Sequence, residues 1–109
     1  MAYSETLAGR IRQALDGKGP ITERKMFGGL TFMFAGNMVC GVMGDDMMAR
    51  VGPERYDEAM RLPGAKLMDF TGRPMKGMIT VTGPGLETDA AMRGFIDLAL
   101  DYARSLPAK

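Results

Sequence analysis

The chain has no histidine and a single cysteine, Cys40. A zinc site of the usual nitrogen and sulfur donors therefore cannot be assembled within one copy. A lone cysteine also forms no internal disulfide, which fits a reducing compartment. Tryptophan is absent and aromatic residues make up 7% of the chain, a poor supply for a platform on which nucleic-acid bases stack. No run of like charge stands out. The 14 basic and 13 acidic side chains are interspersed and the net charge is +1, so the sequence carries no strong electrostatic footprint for nucleic acid or an acidic membrane. No apolar run nears the ~18 residues that would suggest a membrane span. The N-terminal stretch MAYSETLAGRIRQAL is amphipathic and charged, unlike a signal peptide. The expectation is a cytoplasmic protein without membrane contact.

What remains is enough for one core. A chain of 109 residues, 46% apolar and 25% charged, fits a single domain over residues 1–109. Two counts are unusual, 15 glycines and 12 methionines. Methionine is flexible and polarizable, so it fills irregular core gaps and also makes adaptable binding surfaces. Most of these methionines sit inside apolar strand patterns, which favours core filling.

Ser4 reads as the cap of a first helix over residues 5–16, with Leu7, Ala8, Ile11, Ala14 and Leu15 on one face. Gly17 and Gly19-Pro20 end it. Three Gly-punctuated apolar runs follow, at 30–35, 38–43 and 47–51, preceded by a short strand at 24–27. Gly36-Asn37 is expected to supply the positive φ of a tight hairpin turn, and Gly44-Asp45-Asp46 a second turn. Pro53 suits the first turn of a short helix that Leu62-Pro63-Gly64 stops. Strands at 68–70 and 78–82 flank the loop 71–77, and Gly83-Pro84-Gly85 reads as a break. Thr88 caps a long last helix whose stripe is Met92, Phe95, Ile96, Ala99, Leu100, Ala103 and Leu106. The expected fold is α+β, two layers with helices on an antiparallel sheet, in the order α-β(3-4)-α-β(2)-α.

Chemical equipment is sparse. Gly28-Gly29 follows Lys25, but no Gly-Lys-Ser/Thr comes after it and the next element is a strand, so it is read as a bend and not a phosphate loop. Cys40, inside Val39-Cys40-Gly41-Val42, reads as a buried, inert thiol. Asp45-Asp46 reads as a solvated turn, and no other feature resembles a calcium loop. Asp69 lies between Met68 and Phe70, where strand alternation sends it to the other face. These features predict a non-enzymatic protein with no cofactor and no metal. The candidate binding residues are Arg24, Lys25, Arg50, Arg73 and Lys76, an anion or phosphate-backbone site if folding brings them together and solvated charges if it does not.

The runs TERKMFGGLTFMFAGNMVCGV, MMARVGPE and DFTGRPMKGMITV together resemble the TfoX N-terminal domain family, named after a bacterial regulator of competence genes. The most specific parts are Arg24 with Met26, Phe27, Gly28 and Gly29, and the loop Gly72-Arg73-Pro74-Met75. The resemblance implies an α+β fold similar to the secretion-chaperone-like two-layer folds. It also implies a regulatory or interaction role, with no established catalytic residues to carry over. Two features depart from the family: Thr31 stands where many relatives have a glycine, and the chain reads as a short, single-domain member without the second domain of the competence regulators. The resulting expectation is a regulatory or adaptor domain that binds a protein partner, self-association included. Direct nucleic-acid binding through the basic residues is the alternative.

Overall fold

Helix α1 (Glu5–Leu15) starts where the Ser4 hydroxyl accepts a hydrogen bond from the Leu7 amide, and buries the five apolar residues of its stripe. The computed structural model describes residues 3–26, 28–69 and 74–107. After α1 come strands β1 (Ile21–Met26), β2 (Gly29–Phe34), β3 (Asn37–Met43) and β4 (Asp46–Arg50). Helix α2 (Tyr56–Met60) leads to β5 (Ala65–Asp69) and β6 (Pro74–Val81), then to α3 (Gly83–Leu86) and α4 (Asp89–Ser105). The strands form one antiparallel sheet in the order β1-β2-β3-β4-β6-β5, so the fold is α+β with helices on a sheet.

Several expected boundaries move, each for a local reason. The β2–β3 hairpin turns at Ala35-Gly36 and not at Gly36-Asn37: both turn residues have positive φ, +49° and +88°, as the favoured twisted two-residue turn requires. Asn37 instead opens β3, buried, and its side-chain amide donates to the Pro107 carbonyl at 2.9 Å. Gly83-Pro84-Gly85 does not simply break the chain but forms α3, one helix more than the expected order. Gly85 is needed there because a Cβ would press against the Val81 side chain and the Pro63 carbonyl. Helix α2 begins only at Tyr56, after Pro53. Strand β6 starts at Pro74 and passes through Gly77, whose φ is +91° and whose carbonyl accepts from both Val51 and Gly52 amides, an irregularity a glycine accommodates.

The opening glycine pair acts through geometry. Gly28 has a φ of +75° in the β1–β2 turn, and Gly29 lies so close to the Val42 carbonyl of β3 that a Cβ would collide with it. Phe27, its neighbour in the motif, lies outside the described residues.

The core lies between the sheet and α1 and α4. Phe32, Val42, Met47, Ile79 and Val81 from the sheet meet Ile11, Phe95, Ile96 and Ala99 from the helices, all essentially excluded from solvent. Truncating a residue such as Phe95 to alanine costs about 3–5 kcal/mol in cores of this kind. Between Phe32 and Met33 the β2–β3 register shifts, so Val39 and Cys40 both enter the core and Met38 returns to the opposite face. That shift decides which methionines share a surface.

Candidate interaction surface

Residues directly opposite in an antiparallel sheet share a face. The registers therefore define the side of the sheet turned away from the core, strand by strand. Its central row crosses all six strands as Arg24, Thr31, Gly41, Met48, Thr80 and Lys66. The next positions on that face are Thr22, Met33 and Met38, paired across β1 to β3, and Arg50 and Met78, paired across β4 and β6. On the other side lie Met43 and Asp46, paired with each other. Among the described residues, every apolar side chain on this face is a methionine.

No described helix packs here; the core cluster and α1 and α4 lie on the other side. Four of the methionines nevertheless pack together. Met48 is 4% exposed and Met78 9%, and Met38 and Met43 lie half-buried against them as a cluster separate from the core. Thr31 and Gly41 are buried beside them, giving the patch a floor of small residues. Exposed cations stand at both ends of the central row, Arg24 on edge strand β1 and Lys66 on edge strand β5. Five strand spacings, roughly 24 Å, separate them.

The sequence-predicted basic residues are distributed accordingly. Arg24 and Lys25 are consecutive on β1 and alternate faces: Arg24 belongs to the methionine side and Lys25 pairs with core-facing Leu30. Arg50 lies three strands away from β1, roughly 14 Å. Its guanidinium sits over the Tyr102 ring of α4, 5.3 Å from the centroid. Lys76 lies in β6 and Pro74 begins that strand, but their side chains are outside the described residues, as are Gly72 and Arg73 altogether. By register Arg24 and Arg50 fall in the outer rows and Lys25 in a core-facing one, but the Arg50 guanidinium reaches Tyr102 on the α4 side, so the described basic residues do not converge on one face. A methionine-rich face was among the surfaces the sequence suggested, but not which methionines form it, and Lys66 was not singled out. The only trace of the patch's membership was Met33, Met38, Met43 and Met48 recurring every five residues, a spacing that matches neither a helix nor a single strand.

Elsewhere several described charged groups pair within the chain. Glu23 of β1 accepts two hydrogen bonds from Arg12 of α1, at 2.8 and 2.9 Å, and these hold its carboxyl below the ordinary range. A cleft beside Val51, Pro53, Glu54 and Tyr102 is flanked by the Arg55–Asp101 pair at 3.1 Å. Cys40 is fully buried on the core side, and burial pushes its thiol up to about 12. Among the described residues, no group of three His, Cys, Asp or Glu side chains is placed to hold a metal ion. Nor is any helix there long and apolar enough to cross a membrane.

No curated protein and no solved structure matches the chain. The family model of the TfoX N-terminal domain matches residues 13–103, from α1 through most of α4, and the chain belongs to that family.

Proposed function

We propose that the chain is a small, non-enzymatic regulatory domain that binds another protein on the methionine-lined face of its sheet. The observation that carries this reading is the one-sided architecture: six strands with helices on one face, and on the other an apolar patch made of methionine. Methionine side chains re-pack around differently shaped partners at little cost, which suits a docking surface. Membership of a regulator-like family points the same way.

The charges specify the occupant. Arg24 and Lys66 bracket the patch from the two edge strands, so its complement is an amphipathic segment with an apolar stripe flanked by acidic residues. The same edge charges discourage strand-to-strand aggregation.

A photoreactive amino acid placed at Thr22, on the outer face, and separately at Arg93, exposed on α4, tests this in the cells the protein comes from. The reading expects a protein adduct from Thr22 that maps to an acidic amphipathic segment and disappears in Met48→Lys. Adducts from Arg93 alone would overturn it. A nuclease-sensitive adduct would replace it with direct nucleic-acid binding.

A further inference from the structure

We infer that Met38 and Met43 are a reversible oxidation site, where a hydroperoxide converts the two thioethers to sulfoxides and so closes the methionine face to its partner. This rests on the docking proposal and adds regulation to the same surface. Flexibility suits methionine to a docking face, and the same side chain brings a sulfur that a peroxide can oxidise.

The fold sorts the methionines by cover. Met47 and Met92 are closed inside the core. Met48 and Met78 are almost fully enclosed on the outer face, and Met38 and Met43, half-buried, pack against them. The registers show how that cover is laid. Met48 stands opposite Gly41 of β3, and its terminal methyl lies 3.0 Å from where a Cβ on Gly41 would be, so the side chain lies along the sheet over the glycine. Met43, two residues beyond Gly41, is diagonal to Met48 from one side, and Met78, two residues from Thr80, is diagonal from the other. Met38, three residues before Gly41, returns to this face through the register shift of β2 and β3. Cys40 offers no competing site. Its thiol is fully buried on the core side and pushed up to about 12, so hardly any of the reactive thiolate forms.

The step is a two-electron oxygen transfer. The peroxide O–O bond breaks and its terminal oxygen bonds to the sulfur, which is oxidised. The proton of that oxygen passes to the leaving oxygen, and the peroxide is reduced to water or an alcohol. A sulfoxide is polar and chiral, and holding its oxygen against apolar groups without a hydrogen bond is costly. The two covers then turn out to water, which uncovers Met48 and Met78 and replaces an apolar docking surface with a hydrated one. Methionine sulfoxide reductases, one for each epimer, restore the thioether at the expense of a dithiol.

The test follows hydrogen peroxide treatment of the whole chain by methionine methyl NMR, which separates thioether from sulfoxide methyls. Met38 and Met43 should oxidise at least roughly ten-fold faster than Met47 and Met92, which react only when the core opens. Met48 and Met78 should follow the covers in the unaltered chain. They should stay reduced in Met38→Leu/Met43→Leu, where leucine keeps the apolar cover and carries no sulfur. In cells, the photoadduct from Thr22 should fall at least about ten-fold on peroxide treatment, the scale of one unsatisfied polar group, and return as the reductases act. It should persist in the leucine variant and still fall in Met33→Leu/Met60→Leu, which removes the other half-buried methionines among the described residues. Covers that oxidise no faster than the core methionines would overturn the inference, whether or not the leucine variant folds. So would Met48 and Met78 reacting as fast behind leucine as behind methionine, or an adduct that survives with both covers oxidised. An adduct lost equally in the leucine variant would place the sensitive group outside this pair and overturn it too. The absence of any Thr22 adduct before treatment would instead sink the docking proposal, and the switch with it, while the oxidation order stands or falls on the spectra alone.

Discussion

Asn37 shows at the scale of one residue how a local signal is overruled by a distant one. Asn after Gly reads as half of a turn, yet the turn forms one residue earlier, and Ala35 takes the left-handed conformation that Asn or Gly would adopt more easily. The long-range bond from Asn37 to the Pro107 carbonyl fixes that choice by tying the start of β3 to the end of α4, 70 residues apart. Only 2% of Asn37 remains exposed, so Asn37→Ala removes a bond and leaves the carbonyl without this partner. We expect a loss of about 1–3 kcal/mol, read from the urea midpoint. A loss under a few tenths would mean that water replaces the amide. Nothing in the sequence near position 37 announces position 107. The caps were legible for the opposite reason: Ser4 and Thr88 each bond an amide three residues ahead, and a bond that local is written in the local sequence.

Elements with strong periodicity were read correctly because one helix face or one alternating strand decides them. Helices α1 and α4 and strands β2 to β4 are of this kind. Strand β1 is different. ITERKM is mostly polar, lies at the edge of the sheet and extends three residues before its expected start. Part of what holds it is the bidentate bond from Arg12 of α1 to Glu23. That pair gives β1 a pH dependence whose sign is fixed. The folded Glu23 carboxyl lies below its unfolded value, so its contribution is present above about pH 4.3 and is lost as pH falls through the folded value. Both side chains are more than a third exposed, and water and salt screen them, so the contribution is about 0.5 kcal/mol. Glu23→Gln should unfold at lower urea than the unaltered chain at about pH 7 and at nearly the same urea at about pH 3. A gap of equal size at both values would assign the stabilisation to packing instead of charge.

For the molecule as a whole, the decisive property is that one side of the sheet carries the core and the other does not. Sequence reading found the layers and a methionine-rich face but not which residues share it, since membership of a face depends on register, and the shift at Met33 re-phases β3. Adjacent residues of one type test the asymmetry directly. Met47 and Met48 are consecutive on β4, Met47 among the core residues and Met48 in the outer cluster. A lysine at 47 would place an ammonium group in the closed interior with no partner, a cost of several kcal/mol that a domain of this size does not tolerate. A lysine at 48 has half-buried Met38 and Met43 as its cover, and its stem can lie on the patch while the charge reaches water. Met47→Lys should therefore fail to give a cooperative unfolding transition. Met48→Lys should retain one, within about 2 kcal/mol of the unaltered chain. If both unfold alike, Met48 serves the fold as much as Met47 does, and the outer face is a second core rather than a surface. If only Met47→Lys unfolds, the outer methionines are not held in place by the requirements of folding, and their chemistry is available to a ligand or a partner.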